Sequence, residues 1–116
     1  TIRQFDGIVM DATEQELSDA AALGDRTGMF NCPHTGVALA AMIKLIKAGK
    51  IDRAEHVVVI STAHGLKFTD FKTNYHEGQL GFPSQYSNQP IEVSANVGAV
   101  KEALTNALKK RREQNV

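Results

Sequence analysis

The amino-acid sequence predicts an α/β fold, in which helices flank part of a mostly parallel β-sheet. Two observations favour it: short apolar runs alternate with amphipathic segments, and the run VVVI at 57–60 is apolar at every position. Alternating strands and helices are typical of parallel sheets, and a strand that is apolar on both faces is typical of the sheet centre. We therefore expect residues 1–116 to form a single α/β segment.

One strand and two helices are predicted in the first half of the chain. The run GIVM at 7–10 has the pattern of a short buried strand. Thr13, followed three residues later by a glutamate, is a capping-box pattern that predicts a helix over about 14–25. Pro33 suits the start of a second helix that ends near 48, because the N–H group that proline lacks has no helical partner at this position.

The second half is predicted to hold two strands, a long loop and a helix. The strands are HVVVIS at 56–61 and IEVSA at 91–95, and the loop between them, at 65–90, is rich in glycine and proline. A loop of more than about 15 residues in a compact domain is usually functional or packs on another part of the protein. The final helix follows residue 95, with these residues expected on its inner face: Val97, Val100, Leu104 and Leu108.

Composition excludes several classes of function. The formal net charge is zero, which gives no reason to expect nucleic acid as a partner. No apolar run approaches the roughly 20 residues of a membrane helix, so we expect no membrane partner. Cys32 is the single cysteine, which excludes an internal disulfide and leaves no cysteine pair for zinc, and we expect no metal site. The chain starts at Thr1, without methionine, and this suggests that its N-terminal boundary was made by cutting or by design.

Two polar stretches are the candidates for chemistry. CPHTG at 32–36 leads into a helix, and STAHG at 61–65 follows the most apolar strand. Ligands of parallel sheets collect beyond the carboxyl ends of the strands, where helix N-termini also point. The hydroxyls of Ser61, Thr62 and Thr35 are therefore expected to face a polar or anionic ligand.

Simpler interpretations stay open at this point. In one alternative, Thr35 has no role beyond capping the helix. In another, Ser61 and Thr62 have no role beyond turning the chain. A Ser61–His64 hydrolase pair lacks the G-x-S-x-G pattern and an orienting acid. A thiol–imidazole pair of Cys32 and His34 is disfavoured, because residues two positions apart across a strand–helix corner tend to point away from each other.

The two stretches also carry a family resemblance. CPHTGVALAAMIKLIKAGKI at 32–51, followed by VVVISTAHGLKF at 57–68, resembles the C-terminal part of threonine synthase, in its plant-type branch. The flanking segments FDGIVMDATEQELSDA and YSNQPIEVSANVGAVKEAL fit the same resemblance, which covers nearly the whole chain. By this resemblance the chain is the C-terminal part of the larger cofactor-binding domain of a longer enzyme with a tryptophan-synthase-like fold.

The resemblance implies a cofactor and a reaction. Threonine synthases use pyridoxal phosphate to convert O-phospho-L-homoserine and water to L-threonine and phosphate. It implies that Thr62, with Ser61 as second choice, meets the pyridine nitrogen of the cofactor, and that His34 and Thr35 form a wall beside its ring. A neutral hydroxyl can donate to an unprotonated nitrogen, whereas a carboxylate would hold the nitrogen protonated and make the ring a stronger electron sink.

The resemblance also implies that much of the active site lies elsewhere. The lysine that binds the cofactor covalently and the loop that holds the cofactor phosphate are expected upstream, so no catalytic residue is assigned here. We expect the isolated chain to be inactive, with apolar surface exposed where the rest of the parent chain packs, and a homo-oligomeric parent in the cytoplasm, or in the plastid of a plant. Two alternatives stay open: a non-enzymatic oligomerisation or interaction module, and a pyridoxal-phosphate lyase with another amino-acid substrate.

Overall fold

The structure is a computed structural model that describes residues 1–114. Its elements are helical: α1 (Glu14–Asp25), α2 (Pro33–Lys47), α3 (Thr69–His76) and α4 (Val97–Gln114), with short 3₁₀ turns at Ile2–Phe5 and Gly65–Phe68. Helices α1 and α2 pack against each other, and α3 follows directly on the second 3₁₀ turn.

The predicted α/β fold with a parallel sheet is wrong for the residues that the structure describes. They form no strand, and the one bridge of β type is an isolated antiparallel pair between Asn31 and His64. A strand is stable only when a neighbour satisfies its backbone N–H and C=O groups, and the three apolar runs at 7–10, 57–60 and 91–95 do not pair with one another. Apolar composition identified these runs, but it could not supply their partners.

Helix α1 begins and ends as its sequence predicts. The Thr13 side chain accepts a hydrogen bond from the Glu16 N–H at 3.2 Å, and the Glu16 carboxylate accepts from the Thr13 N–H at 2.8 Å. Leu17, Ala20 and Ala21, which lie on one face of this helix, are buried. This face packs on α2.

Helix α2 begins at the predicted proline, but its cap is not the predicted one. Cys32 is the N-cap residue, and its Sγ accepts from the Thr35 N–H at 3.5 Å. The alternative in which Thr35 itself caps the helix is therefore wrong. Gly36 lies against α1 so closely that a Cβ atom there would overlap the Leu17 carbonyl oxygen. The backbones of the two helices approach each other at this glycine.

The predicted loop at 65–90 is partly helical, because it holds the second 3₁₀ turn and α3. Two buried side chains attach α3 to α1: Lys72 forms an ion pair with Asp25, and the Tyr75 hydroxyl donates to Asp19.

Helix α4 is formed as predicted, but its inner face is not covered. Val97, Val100, Leu104 and Leu108 are all exposed among the described residues. The Cα radius of gyration is 17.2 Å, whereas a compact chain of this length has about 13 Å. None of the described helices is long and apolar enough to cross a membrane.

Candidate functional site

The two polar stretches meet at one corner of the molecule. The Cys32 N–H donates to the Ala63 carbonyl at 3.2 Å, and the Gly65 N–H donates to the Phe30 carbonyl at 2.9 Å. These bonds flank the Asn31–His64 bridge. The residues before α2 and the turn at 61–65 therefore form one backbone unit, which we call the corner.

Thr62 lies at the centre of the corner and is exposed. Its Oγ1 is 3.4 Å from the Cys32 Sγ, and its N–H donates to the Thr35 Oγ1 at 3.3 Å. Thr35 and Cys32 are both buried behind it. The predicted meeting of Thr62 and the start of α2 is thus present, with Thr62 on the outside and Thr35 on the inside.

Cys32 has an unusual environment for a buried thiol. Burial raises its pKa, but hydrogen bonds from the Thr35 and Thr62 hydroxyls, from the Thr35 backbone N–H and from the His34 side chain stabilise the thiolate and lower the pKa to about 6. An ordinary cysteine has a pKa of about 8.5. The motif CPHT shows the thiol but not this effect, because the Thr35 bonds depend on where the helix starts and the Thr62 bond depends on where the turn at 61–65 lies.

The other predicted site residues take different positions. The Ser61 hydroxyl donates to the Asn31 Oδ1 at 3.0 Å, so it links the turn at 61–65 to the segment before α2. His34 is exposed in the first turn of α2, and its ring meets the Phe68 ring edge to face at 5.6 Å between centroids. His34 is therefore open to a ligand beside the corner.

The hydrolase alternative finds no support in the contacts of its two residues. The Ser61 hydroxyl is bonded to Asn31, and the His64 Nδ1 accepts from the Leu66 N–H at 3.2 Å. His64 also caps the 3₁₀ turn and packs its ring edge against the Phe30 ring at 5.7 Å. Both residues thus have structural partners.

Sequence reasoning missed the buried residues that hold the corner in place. Asn31 is buried; its N–H donates to the Asp25 Oδ1 at 2.9 Å and its side-chain amide to the Met29 carbonyl at 2.7 Å. The other oxygen of Asp25 binds Lys72, whose Nζ lies 4.9 Å from the centroid of the Phe30 ring. The one local signal was a polar asparagine inside the otherwise apolar run MFNC.

A glycine sets how closely the turn approaches the segment before α2. A Cβ atom on Gly65 would lie 2.7 Å from the Phe30 ring and 3.0 Å from the Asn31 carbonyl oxygen. Gly65 is buried. The glycine of STAHG is thus required by packing against the other stretch.

The corner is an open surface that offers neutral donors. Two concavities of the structure lie elsewhere, one beside the start of α4 and one between α1, α2 and Tyr86. Among the described residues no group of three metal-ligating side chains occurs. An exposed hydroxyl and an exposed imidazole fit the edge of a neutral aromatic nitrogen heterocycle, and pyridoxal phosphate contains such a ring.

Comparison with known proteins agrees with the motif resemblance. Models of known protein families give no match. The chain spans about a fifth of the length of the curated relatives that it matches, 21% and 22%, so it corresponds to one segment of longer proteins.

Those relatives are threonine synthases. The chain is 50% identical over 109 residues, 93% of its length, to threonine synthase 2, chloroplastic, of Arabidopsis thaliana. It is 29% identical over 99 residues, 84% of its length, to threonine synthase of Methanocaldococcus jannaschii. The resemblance to threonine synthase is confirmed.

Proposed function

We propose that this chain is the C-terminal part of a threonine synthase and supplies the residue that meets the pyridine nitrogen of pyridoxal phosphate. The parent enzyme converts O-phospho-L-homoserine and water to L-threonine and phosphate. The observation that carries the proposal is the exposed Thr62 hydroxyl, held at the corner by two buried residues, in a chain that is half identical to a plant threonine synthase.

The chemistry of Thr62 supports this role. A threonine hydroxyl is neutral and can donate one hydrogen bond, so it pairs with an unprotonated ring nitrogen. Pyridoxal phosphate, when bound, supplies an electron sink for the elimination of phosphate and the addition of water. A hydroxyl partner keeps that sink moderate, which favours replacement at the substrate side chain over transamination.

The neighbours of Thr62 divide the remaining work. His34 is exposed and lines the approach to the ring, whereas Thr35 is buried and acts through its bond to the Thr62 N–H. Ser61 supports the corner through Asn31. The covalent lysine and the cofactor-phosphate loop come from the rest of the parent chain, and the isolated 116 residues are therefore inactive.

The parent acts in the cytoplasm, or in the plastid if the source is a plant, as the name of the Arabidopsis relative suggests. We also infer that it is a homo-oligomer. The exposed apolar runs support an extensive contact with other polypeptide, and they are the observation that favours the alternative of an assembly module.

The test uses the full-length parent polypeptide. We expect it to release phosphate from O-phosphohomoserine, and Thr62→Val to lower its affinity for pyridoxal phosphate about tenfold, since one hydrogen bond is worth about 1 kcal/mol or somewhat more. Thr62→Ser keeps the hydroxyl and is the matched control.

Equal cofactor affinity in the valine and serine variants would refute the role of Thr62. A parent that forms no threonine, although it folds, would refute the activity and favour the assembly module.

A further inference from the structure

The Thr62 hydroxyl belongs to a closed ring of three polar contacts. The Thr62 N–H donates to the Thr35 Oγ1 at 3.3 Å, this oxygen lies 3.3 Å from the Cys32 Sγ, and the sulfur lies 3.4 Å from the Thr62 Oγ1. Either atom can donate in the last two contacts. Because each hydroxyl and the thiol carry one hydrogen, the direction of one bond limits the direction of the others.

Thr35 determines that direction. The residue is only 3% exposed, and its hydroxyl oxygen already accepts the Thr62 N–H. The hydrogen of the Thr35 hydroxyl needs an acceptor, because a buried donor without one carries the full desolvation penalty. The sulfur of Cys32 is the acceptor within reach, so Thr35 donates to Cys32.

The geometry then indicates the acceptor of the Cys32 thiol hydrogen. Among the contacts within hydrogen-bond distance, the sulfur accepts from the Thr35 hydroxyl and from the Thr35 N–H at 3.5 Å, which leaves the Thr62 Oγ1 for the thiol hydrogen. When Cys32 is a thiol it therefore donates to Thr62. The hydrogen of the Thr62 hydroxyl stays free for an acceptor outside the ring.

We propose that Cys32 is a positioning residue that decides whether Thr62 can donate to the cofactor nitrogen. As a thiol, Cys32 donates to Thr62 and leaves the Thr62 hydrogen to the nitrogen. As a thiolate, it accepts that hydrogen itself, and Thr62 loses its ability to donate. This inference rests on the proposed function.

The environment of the sulfur makes this exchange accessible. The pKa of Cys32 is about 6, so the thiolate predominates at neutral pH and the thiol in mildly acidic solution, and a bound acceptor nitrogen, which needs the thiol form, raises this pKa by linkage. The titratable groups around the ring are His34 in the first turn of α2, His64 in the turn, and the Asp25–Lys72 pair behind Asn31. An acceptor nitrogen binds the thiol form, so cofactor affinity falls as pH rises through the thiol pKa.

The ring is tested first in the 116-residue chain, where Cys32 is the only cysteine and thiolate ultraviolet absorbance reports on it alone. We expect Thr62→Val to lower the acid dissociation constant of the Cys32 thiol about tenfold, because the thiolate loses one hydrogen-bond donor. Thr62→Ser should titrate like the unmodified chain. If the valine and serine variants titrate alike, Thr62 does not bond to Cys32 and the inference is overturned.

The second test measures pyridoxal phosphate affinity of the full-length parent across the same pH range. Cys32→Ser keeps a donor to Thr62 but does not ionise, so the fall in affinity with pH seen in the unmodified protein should disappear. Cys32→Ala opens the ring, and we expect about fivefold weaker binding at low pH.

The outcomes separate the two proposals. An unchanged pH dependence in Cys32→Ser overturns the positioning role and leaves the proposed function intact. A folded parent that takes up no pyridoxal phosphate overturns the proposed function, and with it the role of the ring toward a cofactor. The titration of the isolated chain decides the ring itself in either case.

Discussion

The hairpin of α1 and α2, with the corner beside it, differs sharply from the apolar runs and α4. In the first region, small and polar residues are buried and hydrogen-bonded within the chain; Asn31 and Thr35 are examples. In the second region, large apolar residues are exposed: Val58 is 90% and Ile60 is 76% exposed. Residue hydrophobicity alone therefore does not say which part of this chain forms a core.

The difference teaches where the structural information for each region lies. The hairpin and the corner have their partners in the chain itself, through caps, an ion pair and close glycine contacts. The apolar runs have strand composition without a strand partner. Their burial requires polypeptide outside the described residues, in agreement with relatives about five times longer.

The largest effect is expected from Lys72→Met, which removes one member of the buried ion pair under the corner. Both side chains are nearly inaccessible, at 7% for Lys72 and 13% for Asp25. An uncompensated buried charge costs about 3–5 kcal/mol, so we expect the free energy of unfolding in urea to fall by that order.

Lys44→Met is the matched control for that substitution. Lys44 pairs with Glu16 at 3.2 Å and Asp11 at 3.6 Å, but these groups are solvated, and such pairs contribute about 0–1 kcal/mol. Equal losses in the two variants would contradict the view that the corner rests on a buried pair.

Gly36→Ala is expected to have the next largest effect. The new methyl group overlaps the Leu17 carbonyl, which is backbone and cannot rotate away, so α1 and α2 must separate. Overpacking of this kind costs about 1–3 kcal/mol, measured by urea unfolding followed by circular dichroism.

Gly98→Ala tests the same change in the other region. Its Cβ would meet only the Asn96 side chain, at 3.3 Å, and alanine is the better helix former by about 1 kcal/mol. We expect α4 to become slightly more stable. A loss of stability here comparable with that of Gly36→Ala would show that α4 is packed, and the comparison of the two regions would fail.

The exposed run at 57–60 provides a smaller effect of a different kind. We expect the double change Val58→Thr and Ile60→Thr to alter the unfolding free energy by about 0.5 kcal/mol or less, because both side chains contact mainly solvent. Self-association, measured by sedimentation velocity over a range of concentrations, should decrease. Large destabilisation of the monomer would place this run inside a core.

The helices with local signals were predictable from sequence. The capping box at Thr13 and Pro33 at the start of α2 gave the correct starts of α1 and α2, because caps act through neighbouring residues. The parallel sheet was predicted wrongly, since strand pairing is a property of two segments, and the pattern of one segment cannot establish it.

The candidate site was predictable in part for the same reason. Motif resemblance identified Thr62 and the start of α2, and the structure brings them within 3.4 Å of each other through Cys32. The support from Asn31, Asp25 and Lys72 was missed, because these residues are 6–47 positions apart and the Lys72–Asp25 bond exists only after α3 packs on α1. The low pKa of Cys32 was missed because it depends on the meeting of the start of α2 with Thr62, which lies 30 positions away.

The smallest expected effect concerns His76, the last residue of α3, which contacts the segment that follows this helix. Its Nδ1 accepts from the Asn88 N–H at 3.0 Å, and partial burial lowers its pKa below the usual value. The neutral form is therefore favoured in the folded state, so this stabilisation is complete above about pH 6.5 and is lost as pH falls through the lower folded-state pKa. Cys32, with a pKa of about 6, also gains a proton in this range, so the melting temperature must be compared between the unmodified chain and His76→Gln at each pH. Glutamine keeps an acceptor but does not titrate, so we expect the melting temperature of the His76→Gln variant to fall less from neutral to mildly acidic pH. Parallel curves for the two proteins would show that the imidazole does not hold Asn88. The segment after α3 would then belong with the exposed apolar runs and α4.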